Sequence, residues 1–88
     1  MDLLKVSSKS QSKAVAGAMS LILEKDHCVA IQAIGAGAVN QAVKAIAIAR
    51  GFLSPKGLEI YVQISFVELV IDSKERTGIK FSIHAKSE

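Results

Sequence analysis

Lys9 and Lys13 bracket a serine-rich stretch, SSKSQSK, and the chain carries no acid from Leu3 to Leu23. Ammonium groups uncancelled by local carboxylates, set among hydroxyls, suit contact with phosphate oxygens. Such contacts hold a protein on nucleic acid without reading bases. A second candidate is GAGAVNQ, residues 35–41, where Gly35 and Gly37 lead into a helical pattern and Asn40 and Gln41 fall in its first turn. Free amides at a helix start can receive an anion. Amide side chains there can cap the helix, hydrogen-bond a nucleotide or pair across a two-fold axis. The stretch contains G-x-G, but Asn40 stands where the third glycine of a dinucleotide fingerprint falls, and the GK[ST] of a nucleoside-triphosphate loop is missing. Neither of those sites is expected. The simpler reading is packing: Gly35 and Gly37 allow a tight turn, and the alanines from Ala36 to Ala49 let a helix sit close to a sheet.

Other chemistry finds no constellation. His27 and His84 belong to different elements, and the His27-Cys28 pair supplies too few ligands for zinc. Cys28 reads as a strand core residue and both histidines as surface groups. No carboxylate pair flanks a cleft, and capping accounts for the serines. No enzyme activity, cofactor or metal is expected.

The 88 residues make one domain, residues 1–88, and with 50% apolar and 22% charged residues the chain should fold. Net charge is +3. Lys5, Lys9, Lys13, Lys25, Lys44, Arg50 and Lys56 outnumber Asp2, Glu24 and Asp26 up to residue 56, whereas acids outnumber bases by one thereafter. The imbalance leans toward an anionic partner near the first half. Gln32, Asn40, Gln41, Lys44 and Arg50 interrupt the longest apolar region, so no membrane helix is expected. A single cysteine and a polar start point to the cytoplasm.

Hydrophobic period supplies the elements that would position these residues. DLLKVS (residues 2–7) reads as a first strand, followed by a helix with Ser10 or Ser12 as N-cap and apolar residues at 15, 18, 19, 22 and 23. CVAIQAI (28–34) suits a central strand. Residues 38–50 have helical spacing and end at Gly51, and FLSPKG then makes a turn. Leu58 to Phe66 alternate as a half-buried strand, and the apolar phase shifts at Val67, which predicts a bulge or bend there. DSKERTG (72–78) reads as the connection of an antiparallel hairpin whose last strand alternates through Ile79, Phe81, Ile83 and Ala85. The expected fold is an α/β two-layer βαβαββ sandwich, a four-stranded sheet with two helices on one face.

LLKVS-SKS at the start, IQAIGAGAVNQAVKAIAIARGF in the middle and DSKERTGIKFSI near the end resemble the bacterial stage V sporulation protein S family, over essentially the whole chain. That family is similar in element order to the Alba domain, a small fold associated with DNA and RNA binding, usually as a dimer. In the place of the Alba pattern's basic pair after the first strand, this chain has Lys9 behind Ser7 and Ser8. The resemblance implies a small cytosolic regulator of sporulation, septation or a related programme, acting through nucleic acid. The candidate contacts are Lys5, Lys9, Lys13, Lys44, Arg76 and Lys80, with the loop and helix start at Gly35, Gly37, Asn40 and Gln41. A second possibility is a protein-interaction module, with Asn40, Gln41 and an exposed Ile48 forming a homodimer or partner surface. Tyr61 is the one aromatic expected on an exposed strand face, and Phe52, Phe66 and Phe81 are expected to be buried, so aromatic stacking on bases has little support in the sequence.

Overall fold

The computed structural model describes residues 1–88. Strand β1 (Leu3–Val6) passes through the serine loop into helix α1 (Ser12–Asp26), then β2 (Cys28–Ala33) and helix α2 (Ala36–Leu53). A 3-10 turn at Ser54–Lys56 follows, and β3 (Leu58–Ile71) and β4 (Lys74–Ser87) close the chain. The element order is the expected βαβαββ. The four strands form one sheet in the order β1-β2-β4-β3, with β1 parallel to β2 and the other two pairings antiparallel. Both helices pack on one face of that sheet, over Val6, Val29, Ile31, Ala33, Phe81, Ile83 and Ala85. No helix is long and apolar enough to cross a membrane.

Helix α1 turns Ala16, Met19, Ser20 and Leu23 inward, positions three and four apart along one face. Neither Ser10 nor Ser12 caps it. The N-cap is Gln11, which makes no side-chain hydrogen bond. Ser10 Oγ instead accepts the Ser7 N–H at 2.9 Å, and the Ser10 N–H donates to Ser7 O at 3.1 Å. The serines thus close their own turn. His27 ends the helix at φ 63°, its N–H donating to Leu23 O.

Helix α2 is longer than its sequence pattern suggests, because Gly51 holds a helical conformation inside its last turn. The helix ends at Leu53, and the 3-10 turn that follows, with Pro55 inside it, ends at Gly57, where φ is 77°. The added residue Leu53 is fully buried. The inward stripe of α2 is Ala38, Ala42, Ala45 and Ala49, methyl groups that let the backbone approach its neighbours. Gly37 shows how close: a Cβ placed there would lie 2.8 Å from Ser8 Cβ. The serine loop therefore rests on the first turn of α2, and Gln41 Nε2 ties it there by donating to Ser10 O at 2.6 Å. The glycine-alanine stretch is a device for close packing.

The β3–β4 register runs unbroken from Leu58↔Ser87 to Ile71↔Lys74, so no bulge accompanies the change of apolar phase at Val67. Two environments along one continuously paired strand explain the change. Leu58, Ile60 and Val62 point toward the helix layer and pack against the core, whereas Val67, Leu69 and Ile71 point to the opposite face. The connection is also shorter than residues 72–78. Only Asp72 and Ser73 turn, at φ 51° and 63°, a pair of left-handed residues whose twist matches that of the strands. Lys74 to Gly78 are strand residues. Ala33↔Ile79 is the last β2–β4 pair, so the hairpin beyond it projects as a two-stranded arm from a body whose longest dimension, arm included, is 43 Å.

That arm and the end of the helix layer correct three burial expectations. Phe66 is on the helix side of β3 but beyond the helices, and is 77% exposed. Phe52 is 42% exposed, and only Phe81 of the three phenylalanines is buried. Ile48, by contrast, is partly buried and packs against the core.

Candidate nucleic-acid interface

Strand alternation divides β4 into two chemistries. Glu75, Thr77, Ile79, Phe81, Ile83 and Ala85 point to the helix side, while Lys74, Arg76, Lys80, Ser82, His84 and Lys86 point to the open side. Neighbouring strands extend the open face. Lys5, Gln32, Lys80 and Ser65 are register partners in one row across all four strands, about 4.8 Å from one strand to the next. Tyr61 lies opposite His84, and Gln63 opposite Ser82. No helix covers this face. Ala30 is buried on this face and lies outside the main core cluster.

The acids are elsewhere or already paired. Glu68 and Glu75 share the opposite side of the arm, where Glu68 accepts the Thr77 hydroxyl at 3.1 Å. Glu59, the open-face acid of β3, receives Arg50 Nε at 3.1 Å. Lys56 Nζ lies 2.6 Å from Glu24. Both pairs are exposed and add little stability, but they leave Lys5, Lys74, Arg76, Lys80 and Lys86 as cations without ion-pair partners.

An open cleft of about 420 Å³ joins this face to the serine loop. Lys5, Ser7, Ser8 and Gln32 supply its polar wall, and Ile34, Leu69 and Ile71 its apolar one. Lys9 and Lys13 are exposed on the loop and on the first turn of α1. The structure therefore gathers Lys5, Lys80 and Arg76 on one surface and sets the serine loop at its edge. Gly35 (φ 91°) precedes α2 without a side-chain cap. Gly37 and Gln41 hold the loop in place. Asn40 and Lys44 are exposed on α2 away from its buried alanine stripe, in the helix layer, so Lys44 is separated from Lys80 by the sheet. Cys28 is half-buried on the open face opposite His84 and is not a core residue, and no third ligand joins the two.

Residues 2–86 match the stage V sporulation protein S (SpoVS) family. The chain belongs to that family. In structure it is similar to Alba from Thermoplasma volcanium, with a TM-score of 0.64 over 99% of this chain and 100% of that one, at 16% identity. That likeness fixes the fold as Alba-like.

In this stage V sporulation protein S family member, sequence reasoning missed Lys74 as a surface cation that shares a face with Lys80, and left Lys86 out of the contacts although the alternation of the last strand put it on that face. The signal was present. The bases at 74, 76, 80 and 86 all fall at even positions and Glu75 at an odd one. Treating residues 72–78 as a loop removed the parity that sorts them.

Proposed function

We propose that this protein is a small regulator that holds nucleic acid by its phosphates. Lys5, Arg76 and Lys80 on the open face, Lys9 on the serine loop and Lys13 on the first turn of α1 carry the contacts, around the cleft that joins face and loop. The single observation behind this reading is the segregation of β4, which places its four cations on one face and its acid on the other. The Alba-like fold is consistent with it. Lysines and hydroxyls meeting phosphates make the binding tolerant of sequence. Fluorescence anisotropy against duplex DNA, single-stranded DNA and RNA at two salt concentrations tests the proposal. Affinity should fall steeply with salt, and replacing Lys9 and Lys13 together with alanine should lower the slope of log K against log salt by about two. No binding to any of the three at low salt would sink it.

A second surface favours self-association. Ile64, Phe66 and Val70 are 67%, 77% and 73% exposed on one side of β3, the outermost strand of the sheet. Val43, 50% exposed, shares with Arg50 the side of α2 that the Arg50–Glu59 bridge sets beside β3. Gln41 and Ile48 are already engaged within the chain, so the apolar side of β3 is the better homodimer surface. Sedimentation should give twice the 9.3 kDa chain mass, and Phe66→Asp should return the species to 9.3 kDa.

A further inference from the structure

We infer that the open sheet face is a platform for single-stranded nucleic acid, with Tyr61 as its stacking surface. The inference rests on the nucleic-acid reading above and names the form of the ligand. Tyr61 is 55% exposed on this face, on the outermost strand β3, where an aromatic ring gains nothing from the core. Lys86 Nζ stands 5.6 Å from the ring centroid, so a cation accompanies the flat surface. An aromatic face with an adjacent ammonium matches a nucleotide, which offers a base to stack and a phosphate to neutralise. Around the ring, the side chains of Gln63, Ser82 and His84 make no hydrogen bond within the chain, although each carries donors or acceptors. They are free for base edges.

The chemistry selects an unpaired strand. A duplex hides the faces of its bases in the stack and shows this ring only sugars and phosphates, which stacking cannot use. Along β4, Lys80 to Lys86 spans about 20 Å, room for a short run of nucleotides of the kind that single-strand binders hold on one sheet. An acidic peptide would satisfy the cations but not the ring.

The sequence offers a direct probe, because Tyr61 is the only tyrosine and there is no tryptophan. Protein carrying 3-fluorotyrosine gives one fluorine resonance, from this site. Oligothymidylate and oligouridylate of about ten residues, a duplex of the same length and a polyglutamate peptide are titrated against it. The single strands should shift the resonance and the duplex and peptide should not. Tyr61→Leu should weaken single-strand binding about tenfold or more and leave duplex binding unchanged, while Tyr61→Phe restores it. If single strands bind with the resonance unmoved and Tyr61→Leu costs nothing, the platform is refuted while phosphate binding through the loop and cleft stands. A shift of equal size from polyglutamate also refutes it, since charge alone would then suffice. Failure to bind any nucleic acid overturns both readings.

Discussion

The two faces of the sheet are made from the same residues in alternation, yet they solve different problems. On the helix side of β4, Phe81 and Ile83 are buried against side chains from α1 and α2, and volume and polarity are tightly constrained. On the open side, Lys80, Ser82 and His84 meet solvent, and only their own backbone is constrained. A strand with one face spoken for by packing is free to carry function on the other. The hairpin arm adds a lesson about extent, because its helix-side residues Phe66 and Val70 have no helix above them.

The sharpest way to break this comparison is to place the same charge on adjacent residues. Ile83→Glu buries a carboxylate with no partner and should cost about 4 kcal/mol or more, enough to leave the chain unfolded by circular dichroism. Ser82→Glu, one residue away, should change stability by about 1 kcal/mol at most while weakening nucleic-acid binding. Equal thermal melts for the two would mean that the faces are not distinct. Next in size, Phe81→Ala should cost about 3–5 kcal/mol in denaturant unfolding. Phe66→Ala, measured on monomeric protein at low concentration, should cost about 0.5 kcal/mol, which marks where the helix layer ends.

On the open face the effect moves from stability to binding. Lys5→Gln with Lys80→Gln should lower the salt slope by about two units. Glu68→Gln with Glu75→Gln, on the opposite side of the arm, should leave the slope unchanged. A change of similar size and opposite sign in the second pair would show that net charge, not its placement, sets affinity. The smallest effect concerns the passage from helix layer to sheet. His27 holds a left-handed conformation that costs a side-chain-bearing residue about 1–2 kcal/mol, so His27→Gly should raise the midpoint of thermal unfolding, by about 1 kcal/mol in stability.

Much of this organisation was legible in the order of residues. Period changes alone separate two helices from four strands, and β4's alternation through Ile79 to Ala85 announces a half-buried strand. The errors share a physical cause: periodicity shows which residues share a face but not what stands opposite that face. Val67, Leu69 and Ile71 looked like a slipped register because a continuous strand leaving the helix layer loses its reason to keep apolar residues on one side. Lys74 to Gly78 looked like a loop because an uncovered two-stranded arm can be polar on both faces. At the interface, Lys5, Lys80 and Arg76 were found from charge and Lys86 fell on their face by alternation, whereas Lys74 required knowledge that its neighbours were paired strands. Ser10 shows a different limit. A serine before a helix can cap it or close its own turn, and only the position of Ser7 decides between them.

The two-residue turn at Asp72–Ser73 also bears on the order in which the molecule assembles. It joins strands whose pairing begins at Ile71↔Lys74 and extends outward step by step, so β3 and β4 can zip without closing a long loop. β1 has no such advantage. Leu3 must find Ala30 after α1 has crossed between them, and the strand secures only four residues at the edge of the sheet. The hairpin is therefore expected early in folding and β1 late, with amide exchange in the native state fastest at β1 and slowest in the paired centre of β2 and β4. Lys5 sits on that last and least anchored strand. A partner that grips Lys5 together with Lys80 would staple the latest piece of the fold to one of the earliest, and its binding should slow exchange in β1 more than anywhere else.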